Sequence, residues 1–423
     1  MKKLLILGGS YQHIKIVKAS KELGVKTYVT DYLPIEQSPA KAISDVPLMY
    51  NITDIDALEE FCLEEHIDGI MAPYLDITQI PYQQLCERLG YYCFGNRKQH
   101  EILTNKIQFK DFCQKHGVDI IETYTEQDIL DRSKKINFPI YVKPNDSRGS
   151  RGQTICKNFN EVDHAIKYAK EYSTSNEVII EKYIEKMADI QLVYMVINKE
   201  PILIRVEDRY LGSTINGLDK LCIATIDPSR LDASYREKAD RIIKKMIKEL
   251  KLKNSPIFIQ AFFDGKTILP YDPGIRLPGD DFDDCYKFIT GIDIPKILVN
   301  FALTGKINDT DIQEIKNAKI NKPAAMILPC LKSGKIARIL GYEELKNNKN
   351  IISMSKSYKV GDYVENTNNV KQRFGEFCMV YPDFSKLKAG ISELFLNLKV
   401  LDEQDNNMLI EQFDVNIIER YKK

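Results

Sequence analysis

The chain has 423 residues, with 60 lysines and arginines against 60 aspartates and glutamates. It carries no net field to hold nucleic acid or an anionic membrane, so any anion site must be local. Hydrophobic residues at 43% and charged residues at 28% fit an ordinary globular protein, and a prior of roughly 150 residues per domain predicts about three domains.

The opening run Lys2–Leu7 is short and apolar, as in a buried parallel strand, and leads into Gly8, Gly9 and Ser10. This reads as a strand and turn rather than a signal peptide, and no run approaches the roughly 20 apolar residues of a membrane helix. The nine cysteines are dispersed, odd in number and without a CxxC pair, which argues for a reducing compartment and against disulfides or zinc. A cytoplasmic protein is expected.

Ile14, Val17 and Leu23 give a helical stripe ended by Gly24, and 25–30 reads as a second strand. This βαβ unit lacks the spaced glycines of a dinucleotide fingerprint. A structural turn, or a small-substrate site at the sheet edge, is expected, with Gly9, Ser10 and His13 as candidate contacts. His66, His100, His116 and His164 read as surface residues. A helix over 54–66, a strand at 69–72 and a helix over 79–89 complete an open α/β layer over 1–100.

The texture then changes. A helix carrying Lys106, Phe109 and Phe112 ends near Gly117. Strands are expected at 138–143, 154–157 and 177–182, with a helix over 161–172. A hairpin is expected over 190–206, and a long basic helix over 232–251. Strands 256–263 and 267–272 are joined by Asp264-Gly265, a strong hairpin turn. From about 321 the chain is β-rich, with a hairpin expected around Ser333-Gly334 and a helix over 385–398.

Three segments carry chemistry. Lys143 ends an apolar strand and precedes Ser147, Gly149 and Gly152, a loop able to fold backbone N–H groups over phosphates. The strand exit Glu181, Lys182, Tyr183, Ile184 can offer a purine an apolar slot and backbone groups. On the hairpin over 256–276, Gln260 and Asp272 can meet across the strands. Such an oxygen pair suits Mg²⁺, and Arg276 follows as a clamp for a carboxylate or a transferring phosphoryl group.

The ordered set Lys106, Lys143, glycine loop, Glu181 to Ile184, Gln260, Asp272, Arg276 resembles the ATP-grasp superfamily over roughly residues 1–300. Residues 321–423 are similar to the small C-terminal β-containing domain of L-amino-acid ligases. The resemblance implies a mixed α/β and α+β multidomain fold. Residues 1–100 would form a Rossmann-like open sheet, 101–310 the ATP-grasp domain with a mobile lid over 115–187, and 311–423 a C-terminal α+β domain. Lys106 and Lys143 would hold the phosphates of ATP under a flap over 147–152. Glu181, Lys182, Tyr183 and Ile184 would line adenine, and Asp189 would take the ribose. Gln260 and Asp272 would ligate Mg²⁺ or Mn²⁺, and Arg276 with Lys143 would be catalytic. The implied partners are a small carboxylate and an amine, joined through an acyl phosphate, in a possible homodimer.

The metal motif departs from the family's E-x-N-x-R. It reads Asp272-Pro273-Gly274-Ile275-Arg276, which removes an amide ligand, and restoring it with Gly274→Asn is expected to tighten Mg²⁺. Gln260 has a parallel in carbamoyl-phosphate synthetases. The competing readings are a bicarbonate-activating enzyme and a nucleotide-binding pseudoenzyme.

Overall fold

The structure is a computed structural model describing residues 1–132, 134–146, 151–213, 221–279, 282–411 and 413–421. Strands β1 (Lys3–Leu7), β2 (Lys26–Thr30), β3 (Val46–Leu48) and β4 (Gly69–Met71) form a parallel sheet in the order β3-β2-β1-β4. Leu4 to Leu7 are wholly buried, because helices cover the sheet and a strand buried on both faces must be apolar throughout. The crossover helices Ile14–Glu22 and Ile55–Glu64 return the chain between parallel strands.

A second, small antiparallel sheet contains β5 (Thr123–Tyr124), β6 (Ile140–Pro144), β7 (Thr154–Cys156) and β8 (Val178–Lys182), in the order β5-β8-β6-β7. Ile140, Val142 and Ile180 meet Val162, Ala165 and Ala169 of the helix Phe159–Glu171 in a core of their own. A part with its own core can move as a unit over a ligand.

The central sheet is antiparallel and eight-stranded. It is built from β9 (Ala188–Ile197), β10 (Glu200–Leu211), β11 (Cys222–Asp227), β12 (Ser255–Phe263), β13 (Ile268–Gly274), β14 (Ala324–Ile327), β15 (Ile351–Lys356) and β16 (Gly375–Val380). Their order is β13-β12-β9-β10-β11-β14-β16-β15. The last three therefore extend the central sheet. One apolar cluster runs from β1 and β4 through β9 and β12. A second joins β14 and β16 to the helix Phe384–Asn397.

The mixed multidomain class expected from the sequence is the class observed. Three local expectations fail. The basic segment 232–251 is two helices, Asp232–Lys238 and Asp240–Glu249, separated at Ala239. Ser333-Gly334 does not join paired neighbours: Cys330–Leu331 pairs with Leu409–Glu411, and Gly334–Lys335 with Tyr363–Val364. Long-range partners here override a local turn signal. His100 is wholly buried rather than superficial.

Candidate functional site

A cavity of about 360 Å³ opens between the small sheet and the central sheet. Lys143 reaches it from the end of β6. Asn145 and Asp146 then fix the chain's exit: Asn145 Nδ2 donates to Glu177 at 2.8 Å, and Asp146 accepts the N–H groups of Thr174 and Ser175 at 3.0 Å each. Ser147 and Gly149 lie outside the described residues. Gly152 has φ +71° and sits where a Cβ would come within 2.8 Å of Pro144 and Tyr172, so its place at the base of the loop requires glycine.

Lys106 starts the helix Lys106–Lys115, whose N-cap Asn105 accepts from Gln108 N–H. Its ammonium lies 3.1 Å from Asp272, bridging the helix to the central sheet. Lys143 is 4% exposed, and its ammonium sits 2.5 Å from Glu181 Oε1. It also lies 5.7 and 5.6 Å over the rings of Tyr141 and Tyr271. Burial pushes the Lys143 ammonium below the usual lysine range, Glu181 opposes this, and the neighbouring Lys110 and Lys106 add to it. Burial pushes the Glu181 carboxyl up, but Lys143 and Lys110 overcome that and hold it below the usual carboxylate range.

Glu181 thus departs from its expected place against adenine. It lines the cavity, but its oxygens accept from two lysines. Lys182, Tyr183 and Ile184 line the same cavity. Asp189, at the start of β9, accepts from Arg209 at 2.7 Å and from the Tyr271 hydroxyl at 2.8 Å. Burial raises its carboxyl above the ordinary range, against the pull of Arg209.

Gln260 and Asp272 meet across β12 and β13, as expected of the hairpin, through a bulge that shifts the register between Gln260 and Ala261. Gln260 Nε2 donates to Gln191 Oε1 at 3.0 Å, and Gln191 Nε2 donates to Glu207. That relay fixes the carboxamide so that Gln260 Oε1 is left as an acceptor beside Asp272. Among the described residues no group of three or more His, Cys, Asp or Glu gathers. One carboxylate and one amide oxygen nevertheless fit Mg²⁺, which takes few protein ligands and completes its shell with phosphate and water.

Position 274 does not behave as the motif suggests. A Cβ on Gly274 would lie 2.0 Å from Phe258 Cε1. Phe258 fills the place the family's asparagine would need, and its ring supports the Arg276 guanidinium at 4.5 Å. Arg276 is held end to end by Asp76, at 2.6 Å through Nε and 2.8 Å through Nη2.

Gly9, Ser10 and His13 do not line this cavity. A Cβ on Gly8 (φ +109°) would meet the His13 ring at 2.8 Å, and one on Gly9 would meet Ser38 Oγ at 1.8 Å. The glycine pair is therefore a close-packing device, although Gln12 reaches Gly279 at the cavity wall. His13 is wholly buried, bonded to Ser10 Oγ at 2.8 Å and set edge-on to Tyr74.

Burial lowers the imidazoles of His13 and His100 to about 4 from an ordinary 6.5. The unfolded chain binds more protons between those values, so the stability these neutral rings provide is lost as pH falls from about 6.5 toward 4. Denaturant midpoints should decline over that window, and His13→Gln should flatten the decline. A slope unchanged by the substitution would remove His13 from the account.

Sequence reasoning missed Lys110, Asp76, Arg209, Thr225 and Arg373. Lys110 had a signal, lying four residues after Lys106 and hence on the same helical face. Asp76 and Arg373 arrive from remote segments. Arg373 Nη2 donates to Cys222 O at 2.9 Å, while among the described residues its Nε and the Thr225 hydroxyl, both buried, meet no hydrogen-bond partner. Both residues line the cavity.

A cleft between a small and a large antiparallel sheet, with buried lysines on one wall and paired oxygen donors on the other, is the architecture of the ATP-grasp fold. Residues 105–209 match the carbamoyl-phosphate synthase L chain ATP-binding domain. A formate-dependent phosphoribosylglycinamide formyltransferase of Prochlorococcus marinus is 24% identical over 314 residues, 70% of this chain and 77% of that protein. The L-amino acid ligase of Bacillus licheniformis has a TM-score of 0.80 at 16% identity, covering 95% of this chain and 99% of that one. The biotin carboxylase domain of Hydrogenobacter thermophilus 2-oxoglutarate carboxylase, solved with MgADP, ADP and bicarbonate, has a TM-score of 0.74 at 17% identity, covering 94% and 90%. Residues 105–209 thus match an ATP-binding domain of the ATP-grasp kind, and the chain as a whole has the fold of ATP-grasp enzymes, one of them solved with MgADP. No helix among its described residues is long and apolar enough to cross a membrane.

Proposed function

We propose that this protein activates a small carboxylate with ATP and joins it to an amine. A carboxylate oxygen attacks the γ-phosphorus, the bond to ADP breaks, and an acyl phosphate forms. The amine nitrogen then attacks the acyl carbon, loses a proton, and phosphate leaves with the C–O electron pair. The observation that carries the reading is one cavity joining Lys106 and Lys143 to Gln260, Asp272 and Arg276.

In this reading Lys143 and Lys106 face the phosphates and Arg276 faces the transferring group, so catalysis is positioning plus charge stabilisation. Gln260 and Asp272 hold Mg²⁺, which when bound neutralises phosphate charge and orients its oxygens. Tyr183, Ile184 and neighbouring apolar side chains receive adenine, and Asp189 faces the ribose. The site must keep water from the acyl phosphate. The buried donors Arg373 Nε and Thr225 Oγ1 take oxygen acceptors of the substrate, since an unmet buried donor costs about 1–3 kcal/mol. We assign residues 1–100, 101–310 and 311–423 to the three parts of the enzyme, with 115–187 as its cover.

The relatives' names point to formate and to amino acids as carboxylates, and the domain solved with bicarbonate supplies a third candidate. A phosphate-release screen with ATP, Mg²⁺, formate, bicarbonate and pairwise amino acids separates them. The expected result is release that needs both a carboxylate and an amine. Release driven by bicarbonate without any amine would overturn the assignment, and tight ATP binding with no release in any combination would mark a pseudoenzyme. Asp272→Asn should raise the Mg²⁺ needed for half-maximal release, and an unshifted Mg²⁺ titration would remove Asp272 from the metal site.

A further inference from the structure

A buried carboxylate stands between two buried ammonium groups behind the phosphate wall. Glu181 is 2% exposed, and Lys110 and Lys143 are each 4% exposed. Lys143 takes Oε1 at 2.5 Å, and Lys110 takes Oε2. Lys143 lines the cavity, whereas Lys110 is not among the lining residues.

The charge count decides what this arrangement does. Glu181 with Lys143 alone is a neutral pair, and in a low-dielectric interior such a pair cancels most of the field an approaching phosphate would feel. A carboxylate shared by two ammonium groups leaves one net positive charge. The second lysine stands behind the wall, so the excess is expressed at Lys143. The rings of Tyr141 and Tyr271 keep that ammonium at the cavity face.

We propose that Lys110 is a positioning residue for nucleotide binding: it engages Glu181 from behind the wall, so that Glu181 fixes Lys143 without cancelling its charge toward the phosphates. This rests on the cavity being the ATP site.

The test is titration calorimetry of a non-hydrolysable ATP analogue with Mg²⁺, alongside steady-state kinetics. Lys110→Met should weaken nucleotide binding about tenfold or more and raise the KM for ATP, with kcat within about threefold, because Lys143 still faces the phosphates and Arg276 the transferring group. Adding Glu181→Gln to Lys110→Met should recover at least about threefold of that loss, because it frees the Lys143 charge. Lys110→Arg should stay near wild type. Glu181→Gln alone is a second handle that leaves both cations in place. It should bind nucleotide as tightly as wild type or tighter while lowering kcat, because Lys143 is no longer fixed.

A merely structural Lys110 predicts a double variant no better than the single one. That result, or wild-type affinity in Lys110→Met, overturns the inference. So does weakened binding in Glu181→Gln, which also decides the matter if Lys110→Met does not fold. Wild-type protein that fails to bind the analogue would instead overturn the reading of the cavity itself.

Discussion

Lys143→Met should cut ATP-dependent phosphate release at saturating ATP by between about a hundredfold and a thousandfold, the scale seen when one preorganised transition-state donor is removed. Methionine keeps the unbranched stem, so the packing between Tyr141 and Tyr271 survives. Glu181 keeps Lys110 as its partner, and the penalty of a wholly unpaired buried carboxylate is avoided. The variant should therefore fold, with a circular dichroism spectrum like that of wild type, and fail in kcat. The contrast with Lys110→Met is the informative part. Losing the lysine facing the cavity should lower kcat as well as weaken nucleotide binding, and losing the lysine behind it should move mainly KM. Turnover near the wild-type value in Lys143→Met would remove that residue from the reaction.

The two lysines also show how far the sequence could be read. Lys143 was legible because an apolar strand ending in lysine before a glycine-containing loop needs an anion. That Gln260 and Asp272 can meet was legible from the Asp264-Gly265 hairpin signal, but their exact pairing was not, because a bulge between Gln260 and Ala261 shifts the register by one residue from that of the turn end. Both are local arguments. The direction of the Glu181 side chain was not legible, because its partners lie 71 and 38 residues away and strand periodicity does not say what a buried carboxylate meets. The same holds for Asp76, 200 residues from the arginine it grips. The role given to Gly9, Ser10 and His13 came from the general habit of open α/β sheets. Here the glycines make room for His13, Ser38 and Asp31, and that crowding exists only once the chain is folded.

Gly274→Asn is the second large effect, and its expected sign is opposite to the one the motif suggests. The family's motif places an amide oxygen at this position, and the substitution looks like a repair. With a Cβ 2.0 Å from Phe258 Cε1 and 2.7 Å from two further ring carbons, asparagine cannot enter unless the ring leaves. Phe258 is 2% exposed on a central strand, so the ring has nowhere to relax, and overpacking of this kind costs about 1–3 kcal/mol or more. Displacing the ring also removes the face on which Arg276 rests. Gly274→Asn should therefore lower the thermal midpoint, reduce turnover and leave Mg²⁺ affinity no tighter. Pairing it with Phe258→Ala opens the space the amide needs. The double variant should bind Mg²⁺ more tightly than Phe258→Ala alone, measured as the Mg²⁺ concentration for half-maximal nucleotide binding. A stable Gly274→Asn single variant with tighter Mg²⁺ binding would show that Phe258 does not hold this position closed. If instead the double variant gains nothing over Phe258→Ala, position 274 is too far from the metal to matter, and Gln260 and Asp272 are the protein's whole contribution to it.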